Sequence, residues 1–216
     1  MGFEAVPTDD SLVDPLPVEP LALVARWFAE ARERSGQQNP DAMTIATVDD
    51  DGSPQARVVL CRGFDAEAGV FTFYTNRQSA KGRELAGQPR ATAVFYWDSL
   101  SRQLRVSGAI GLAADEVSDA YFAGRPRASQ IAAWASQQSA PVASRDALLH
   151  ALDETAARFG GLEGETPVPR PPHWGGYCLH AERVECWVGS RGRAHDRARW
   201  QREPDGTSWS VERLQP

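Results

Sequence analysis

Apolar positions along the 216-residue chain change their spacing several times, and each change marks an element. From Pro20, "PLALVARWFAEARERSG" sets Leu21, Val24, Ala25, Trp27 and Phe28 on a helical stripe that Gly36 stops. The next stretch, "AMTIATVDDDGSPQARVVLCRGFDAEAGVFTFYT", carries β-branched and aromatic runs broken by Asp-Gly and Ala-Gly turns. It predicts three strands in meander order, 43–48, 55–63 and 70–75. "SAKGRELAGQ" returns to helical character, with Ser79 as its cap. "RATAVFYWD" and "RQLRVSGAIGLA" are two further strands, and "ADEVSDAYFAGR" and "SRDALLHALDETAARFG" are helices. "PRASQIAAWASQQS" reads as mixed helix and loop, and "ETPVPRPPHWGG" as a surface linker. "YCLHAERVECWV", "RAHDRARWQRE" and "SWSVERL" complete the strands. Strands in sequence, with helices inserted in blocks, predict a mainly β fold with added helices (α+β), a largely antiparallel barrel.

The first 19 residues are rich in Pro, Asp and Glu and hold no basic residue. They are expected to form a flexible tail ahead of one domain over 20–216. No apolar run approaches the ~20 residues of a membrane span, and no basic-then-apolar leader opens the chain. A net charge of -6 argues against nucleic acid as a partner. Cys61, Cys178 and Cys186 show no metal-ligand spacing, so no metal is expected, and reduced thiols in a cytoplasmic protein are the reading. Among 23 basic residues, Lys81 is the single lysine. Either one lysine survived a general drift to arginine, or this position needs an ammonium where a planar fork does not serve.

Two stretches carry candidate chemistry. In "YFAGRPRASQ", Tyr121, Arg125 and Ser129 recur every four residues around Pro126. If local helical turns continue, a phenol, a guanidinium and a hydroxyl converge into a phosphate clamp, while Arg127 points elsewhere as a surface residue. In "RGRAHDRARW", four arginines flank one histidine. Strand alternation would put Arg193, His195 and Arg197 on one side, continued by Arg191 if the strand starts early, with Ala194 and Asp196 facing away.

Taken in order, "AMTIATVDDDGSPQARVVL", "FYTNRQSAKGREL", "FYWDSLSRQLRVSG", "YFAGRPRASQIAAWASQQS", "WGGY", "RAHDR" and the terminal "ERLQP" resemble the pyridoxine/pyridoxamine 5'-phosphate oxidase family of FMN-binding split β-barrels. The resemblance covers about residues 22–216. It implies a homodimer with two FMN molecules at the subunit interface. It also implies oxidation of pyridoxine or pyridoxamine 5'-phosphate to pyridoxal 5'-phosphate, with hydride transfer to flavin N5 and O2 as electron acceptor. Carried over by position, the flavin site is Arg57, Val58, Tyr74, Thr75, Lys81, Gln103, Gln138, Ser139, Trp187 and Arg197. The substrate phosphate falls to Arg62, Tyr121, Arg125 and Ser129. Arg193 and His195 lie over the substrate ring as the catalytic pair. Arg57 and Lys81 supply charge to the FMN phosphate, Thr75 and Ser139 hydroxyl donors, and Gln103 and Gln138 hydrogen bonds to the flavin's polar edge.

The chain departs from the family pattern in places. Arg62 stands where the family usually has lysine, Cys186 and Val188 alter "EFWQG", and Ala194 alters "RLHDR". The family's basic N-terminal segment is not recognisable, since the first basic residue is Arg26. These changes bear on substrate identity and turnover rather than on FMN. The competing functions are a related FMN oxidase of a phenazine-type ring and a non-catalytic flavin or pyridoxal-phosphate carrier.

Overall fold

A computed structural model describes residues 11–216. Nine strands form one sheet in which every neighbouring pair is antiparallel. They are β1 (Ala42–Val48), β2 (Pro54–Leu60), β3 (Gly63–Asp65), β4 (Val70–Asn76), β5 (Arg90–Trp97), β6 (Arg102–Leu112), β7 (Trp174–Val188), β8 (Asp196–Arg202) and β9 (Trp209–Arg213). The order is β2-β1-β5-β6-β7-β4-β3, with β8 branching from β7 and β9 from β8. Five helices decorate the sheet: α1 (Leu21–Arg34), α2 (Ala80–Gly87), α3 (Asp115–Ala123), α4 (Arg127–Ala135) and α5 (Arg145–Arg158).

The expected strand 55–63 is two strands, because the chain changes partner there. Cys61 N–H donates to Asp41 O on the β1 side, and Arg62 N–H to Thr72 O on β4. β7 also divides its pairing. Its first half runs beside β4, from Trp174 opposite Asn76 to His180 opposite Val70. Its second half, Arg183–Val188, runs beside β8. β6 lines the other edge, with a bulge between Ser107 and Gly108. A Cβ on Gly108 would stand 1.8 Å from the His180 carbonyl oxygen, so only glycine lets the two backbones approach.

The main core lies between the sheet and the apolar stripe of α1. Trp27 and Phe28 are each 2% exposed. Phe28 meets Phe64, Phe71, Phe95 and Trp97 at ring separations of 4.9–6.2 Å. Burial of each such ring contributes roughly 1.5–3 kcal/mol. A second cluster, Phe122, Ile131, Phe159, Val168 and Trp174, holds the helical block against the start of β7.

The tail expected over 1–19 needs correction where it is described; residues 1–10 lie outside the described residues. Leu12 is buried, and its N–H donates to Asp196 Oδ2 at 2.9 Å. Pro17 O accepts from Trp200 Nε1 at 2.8 Å, and Arg213 donates to Val13 O at 3.1 Å. Two apolar side chains, Leu12 and Leu16, pack against the core, and three backbone contacts dock this acidic, Pro-rich stretch on β8 and β9. Among the described residues no helix is long and apolar enough to cross a membrane, and no group of His, Cys, Asp and Glu is arranged to hold a metal. The three cysteines are free.

Candidate active site

A cleft of about 1330 Å³ opens between β2, β4 and helices α2–α4. That exceeds the ~300–1,000 Å³ usual for one small ligand. Arg57, Arg62, Lys81 and Arg125 line it, and among the described residues no Asp or Glu does. A strongly cationic cleft in a chain of net charge -6 marks an anion site.

The cations fall into two pairs. Lys81 sits in the first turn of α2, whose cap Ser79 accepts from the Gly82 N–H at 3.3 Å. Its buried ammonium donates to Gln138 Oε1 at 3.1 Å and to Thr75 Oγ1 and Ser79 Oγ at 3.3 Å each. Burial first, and the nearby Arg57 second, lower its pKa below 10.5, partly offset by Glu84. Arg57 reaches the same end from β2, with its fork engaged. Nη2 lies 2.9 Å from Glu84 Oε2, and Nη1 donates to Thr47 Oγ1. Glu84 also accepts from Thr47 and is 8% exposed. It stands behind the cleft and balances one of two adjacent cations, which leaves Lys81 as the freer charge.

Arg125 and Arg62 form the second pair. Burial lowers the Arg125 pKa, and the Arg62 charge adds to the effect while Tyr121 opposes it. Tyr121, Arg125 and Ser129 all line the cleft, as their spacing suggested. They do so from the end of α3, a turn at Pro126 and the start of α4 rather than from one continuous helix face. Tyr121 stacks on Tyr74 at 3.8 Å with a 2° interplanar angle. Val58, Thr75, Gln138 and Ser139 also line the cleft. Ser139 takes a φ of 73°, a conformation that non-glycine residues rarely hold. Arg127 does turn away from the clamp, yet it is no free surface residue: it donates to the carbonyls of Phe159, Gly161 and Thr166.

The remaining expected site residues do not line this cleft. Gln103, Trp187 and Arg197 lie directly opposite one another across β6, β7 and β8, so they share one face of the sheet. Arg197 donates to the buried Glu185 at 2.8 Å and to Gln215 O at 3.0 Å. His195 joins this row, with its ring 4.7 Å from Trp187 and Nδ1 accepting from Ser190 N–H at 3.1 Å. The single-strand reading of "RGRAHDRARW" is wrong at its start. β8 begins only at Asp196, and Arg191–Arg193 form a tight turn in which Gly192 and Arg193 both have positive φ. Alternation therefore does not set the direction of Arg193, which is exposed, or of His195; the Arg191 side chain lies outside the described set. Asp196 accepts from Leu12 and Arg213.

Three residues escaped the sequence reading. Glu84 had a signal, three residues after Lys81 on one helix face. Trp174, in "WGGY", lines the cleft with its indole 4.6 Å below the Arg125 guanidinium. Glu185 sits between Arg105 and Arg197, two residues from Trp187 and so on the same face of β7.

The curled antiparallel sheet and its flanking helices define the class of FMN-binding split barrels. PhzG from Burkholderia lata, solved in complex with tetrahydrophenazine-1-carboxylic acid, superposes with a TM-score of 0.83 at 32% identity, covering 94% of this chain and 95% of that one. An FMN-binding protein from Nostoc punctiforme shares the fold at a TM-score of 0.70 and 20% identity, over 90% of this chain and 96% of that one. Residues 29–158 match the family described as pyridoxamine 5'-phosphate oxidase, and residues 174–216 match the pyridoxine 5'-phosphate oxidase C-terminal dimerisation region. The pyridoxine/pyridoxamine 5'-phosphate oxidase of Rubrobacter xylanophilus is 50% identical over 92% of this chain and 87% of that one. That of Chromohalobacter salexigens is 48% identical over 94% and 92%. The chain belongs to the pyridoxine/pyridoxamine 5'-phosphate oxidase family. It is an FMN-dependent oxidoreductase of vitamin B6 metabolism, acting on a B6 vitamer.

Proposed function

We propose that this chain works as a homodimer in which the cleft of one subunit and the Gln103–Trp187–Arg197 row of its partner together enclose FMN and substrate. The observation that carries the reading is the division of the cleft cations into two pairs, Arg57 with Lys81 and Arg62 with Arg125. Two phosphates need holding, one on the cofactor and one on the substrate. The donor set fits FMN: a buried ammonium stands among hydroxyl and amide groups at a helix start, with a guanidinium beside it. Lys81, Arg57, Thr75 and Ser139 hold the FMN phosphate. Val58, Tyr74, Gln103, Gln138, Trp187 and Arg197 hold its ring and polar edge. Tyr121, Arg125, Ser129 and Arg62 take the substrate phosphate.

When bound, FMN supplies the two-electron acceptor, and O2 regenerates it. The protein's part is alignment. Arg193 and His195 position the substrate ring, and His195 is the group able to move a proton. The row stands outside its own subunit's cleft, which supports assembly with a second copy. Three free cysteines support a reducing, cytoplasmic setting, and residues 20–216 are read as one domain. The test is oxygen-dependent turnover of the purified yellow dimer on pyridoxine 5'-phosphate, run against a phenazine precursor. Turnover of the B6 phosphate with stoichiometric O2 uptake is expected. Turnover of the phenazine precursor alone would overturn the reading.

A further inference from the structure

Resting on the assignment of Arg125 to the substrate phosphate, we propose that Trp174 is a specificity-determining positioning residue. Its indole face holds the Arg125 guanidinium in place without neutralising it. Other arginines of the fold are held by carboxylates: Arg57 by Glu84, Arg197 by Glu185, and Arg170 by Asp115 and Asp119. Arg125 forms no ion pair with any described residue. Its Cζ lies 4.6 Å from the Trp174 ring centroid and 5.5 Å from that of Phe122, and its Nη1 is buried with no hydrogen-bond partner.

The two kinds of holder differ in what they leave free. A carboxylate cancels the charge and occupies the in-plane donors of the fork. A ring face attracts the cation through its quadrupole and leaves those donors for another acceptor. Burial and the nearby Arg62 both disfavour the Arg125 charge, and an incoming phosphate dianion relieves that cost.

The holder is itself fixed. Trp174 is 6% exposed, and its ring lies 5.5 Å from Tyr74 at 9° and 5.0 Å from Phe122 at 68°. Its carbonyl accepts from Arg170 Nη1 at 2.7 Å. On the other side, Gln130 Nε2 donates to Phe122 O at 2.9 Å and Ala123 O at 3.2 Å, which pins the turn that carries Arg125. A rigid ring under a pinned arginine preorganises an anion receptor.

The experiment compares Trp174→Leu, Trp174→Phe and Arg125→Gln with the parent, as FMN-loaded enzyme, on pyridoxine 5'-phosphate and on phosphate-free pyridoxine. In Trp174→Leu the ratio of kcat/KM between the two substrates falls about tenfold. The loss appears in KM for the phosphorylated substrate rather than in kcat. Trp174→Phe keeps a smaller face and falls between Leu and parent. Should the Leu variant not fold, the Phe variant decides alone, since its loss must also be confined to the phosphorylated substrate. Equal losses on both substrates, or an unchanged ratio, would overturn the inference. An Arg125→Gln enzyme with an unaltered KM for pyridoxine 5'-phosphate would instead reject the phosphate assignment beneath it.

Discussion

The two ends of β7 face different surroundings. Trp174 opens the strand opposite Asn76 of β4 and lines the cleft. Trp187 nears its end opposite Arg197 of β8, in a row outside that cleft. Thirteen residues separate them, roughly 40 Å of extended chain. One strand therefore carries both groups of expected site residues without bringing them together, and the proposed function reads them as two half-sites. The first presents one arginine balanced by Glu84 and three further cations, Arg62, Lys81 and Arg125, with no described carboxylate in an ion pair; the second presents an arginine paired with the buried Glu185. On the proposed reading, anion capture and ring alignment are separate tasks on separate surfaces, and a two-fold axis is the simple way to join them.

The sharpest way to break that comparison is to damage the halves in different subunits. Arg125→Ala and Arg193→Ala homodimers should each be nearly inactive. Subunits exchanged at equal ratio should recover about a quarter of parental activity, because half the dimers are mixed and each has one intact site. Absence of recovery, with subunit exchange verified by mass, would place both halves in one subunit's site.

Next in size is Arg193 itself. Its left-handed backbone, shared with Ser101 and Ser139, costs about 1 kcal/mol or more in a non-glycine residue, so a glycine there tests whether the side chain is what the position keeps. Arg193→Gly should lower kcat/KM by about a hundredfold or more while FMN stays bound and Tm does not fall. Anaerobic flavin reduction by pyridoxamine 5'-phosphate reads the first effect and thermal unfolding the second. A lower Tm with normal reduction would make Arg193 structural.

Lys81→Ala should weaken FMN retention roughly ten- to a hundredfold, the loss of a charge-assisted hydrogen bond of about 1.5–3 kcal/mol. Its pKa is lowered, so the ammonium loses its proton at a lower pH than an ordinary lysine. FMN affinity of the parent should therefore fall as pH rises through that depressed value, below 10.5. In Lys81→Arg this alkaline fall should be absent. Titration of FMN fluorescence at stepped pH measures both.

The smallest effect is expected from Arg62→Lys. Charge is kept at the second cation pair, so kcat should hold and KM for phosphorylated substrate should stay the same or drop. A large loss of turnover would show a site fitted to guanidinium.

Much of the first half-site was legible because regular elements carry it. β-Branched and aromatic runs between turns located β1, β2 and β4, and Ser79 marked the start of α2. The 121–129 spacing drew attention to a real convergence, although Pro126 breaks the helix between. What the sequence hid was pairing over distance. Nothing local says that Glu84 meets Arg57, or that Trp174 lies under Arg125. β7 begins earlier than expected because "WGG" looks like a loop. Gly175 and Gly176 belong in the strand because they pair with Thr75 and Tyr74 of β4. The "RGRAHDRARW" reading failed because alternation presumes a strand, and Gly192 with Arg193 forms a left-handed turn instead. The docking of Leu12 on Asp196 was equally invisible to composition.

The solitary lysine also gives the protein a built-in reporter. Only Lys81 and the α-amino group offer amines to an acylating reagent, and the lysine lines the cleft where the FMN phosphate is proposed to sit. Its lowered pKa, caused first by burial, leaves more of it as the free amine at a given pH than an ordinary lysine. A single acetyl mass increment on the peptide spanning Lys81 should therefore accumulate in flavin-stripped protein and be suppressed in flavin-loaded protein. Occupancy becomes a quantity that a mass spectrometer counts in crude extract, without colour, turnover or purification.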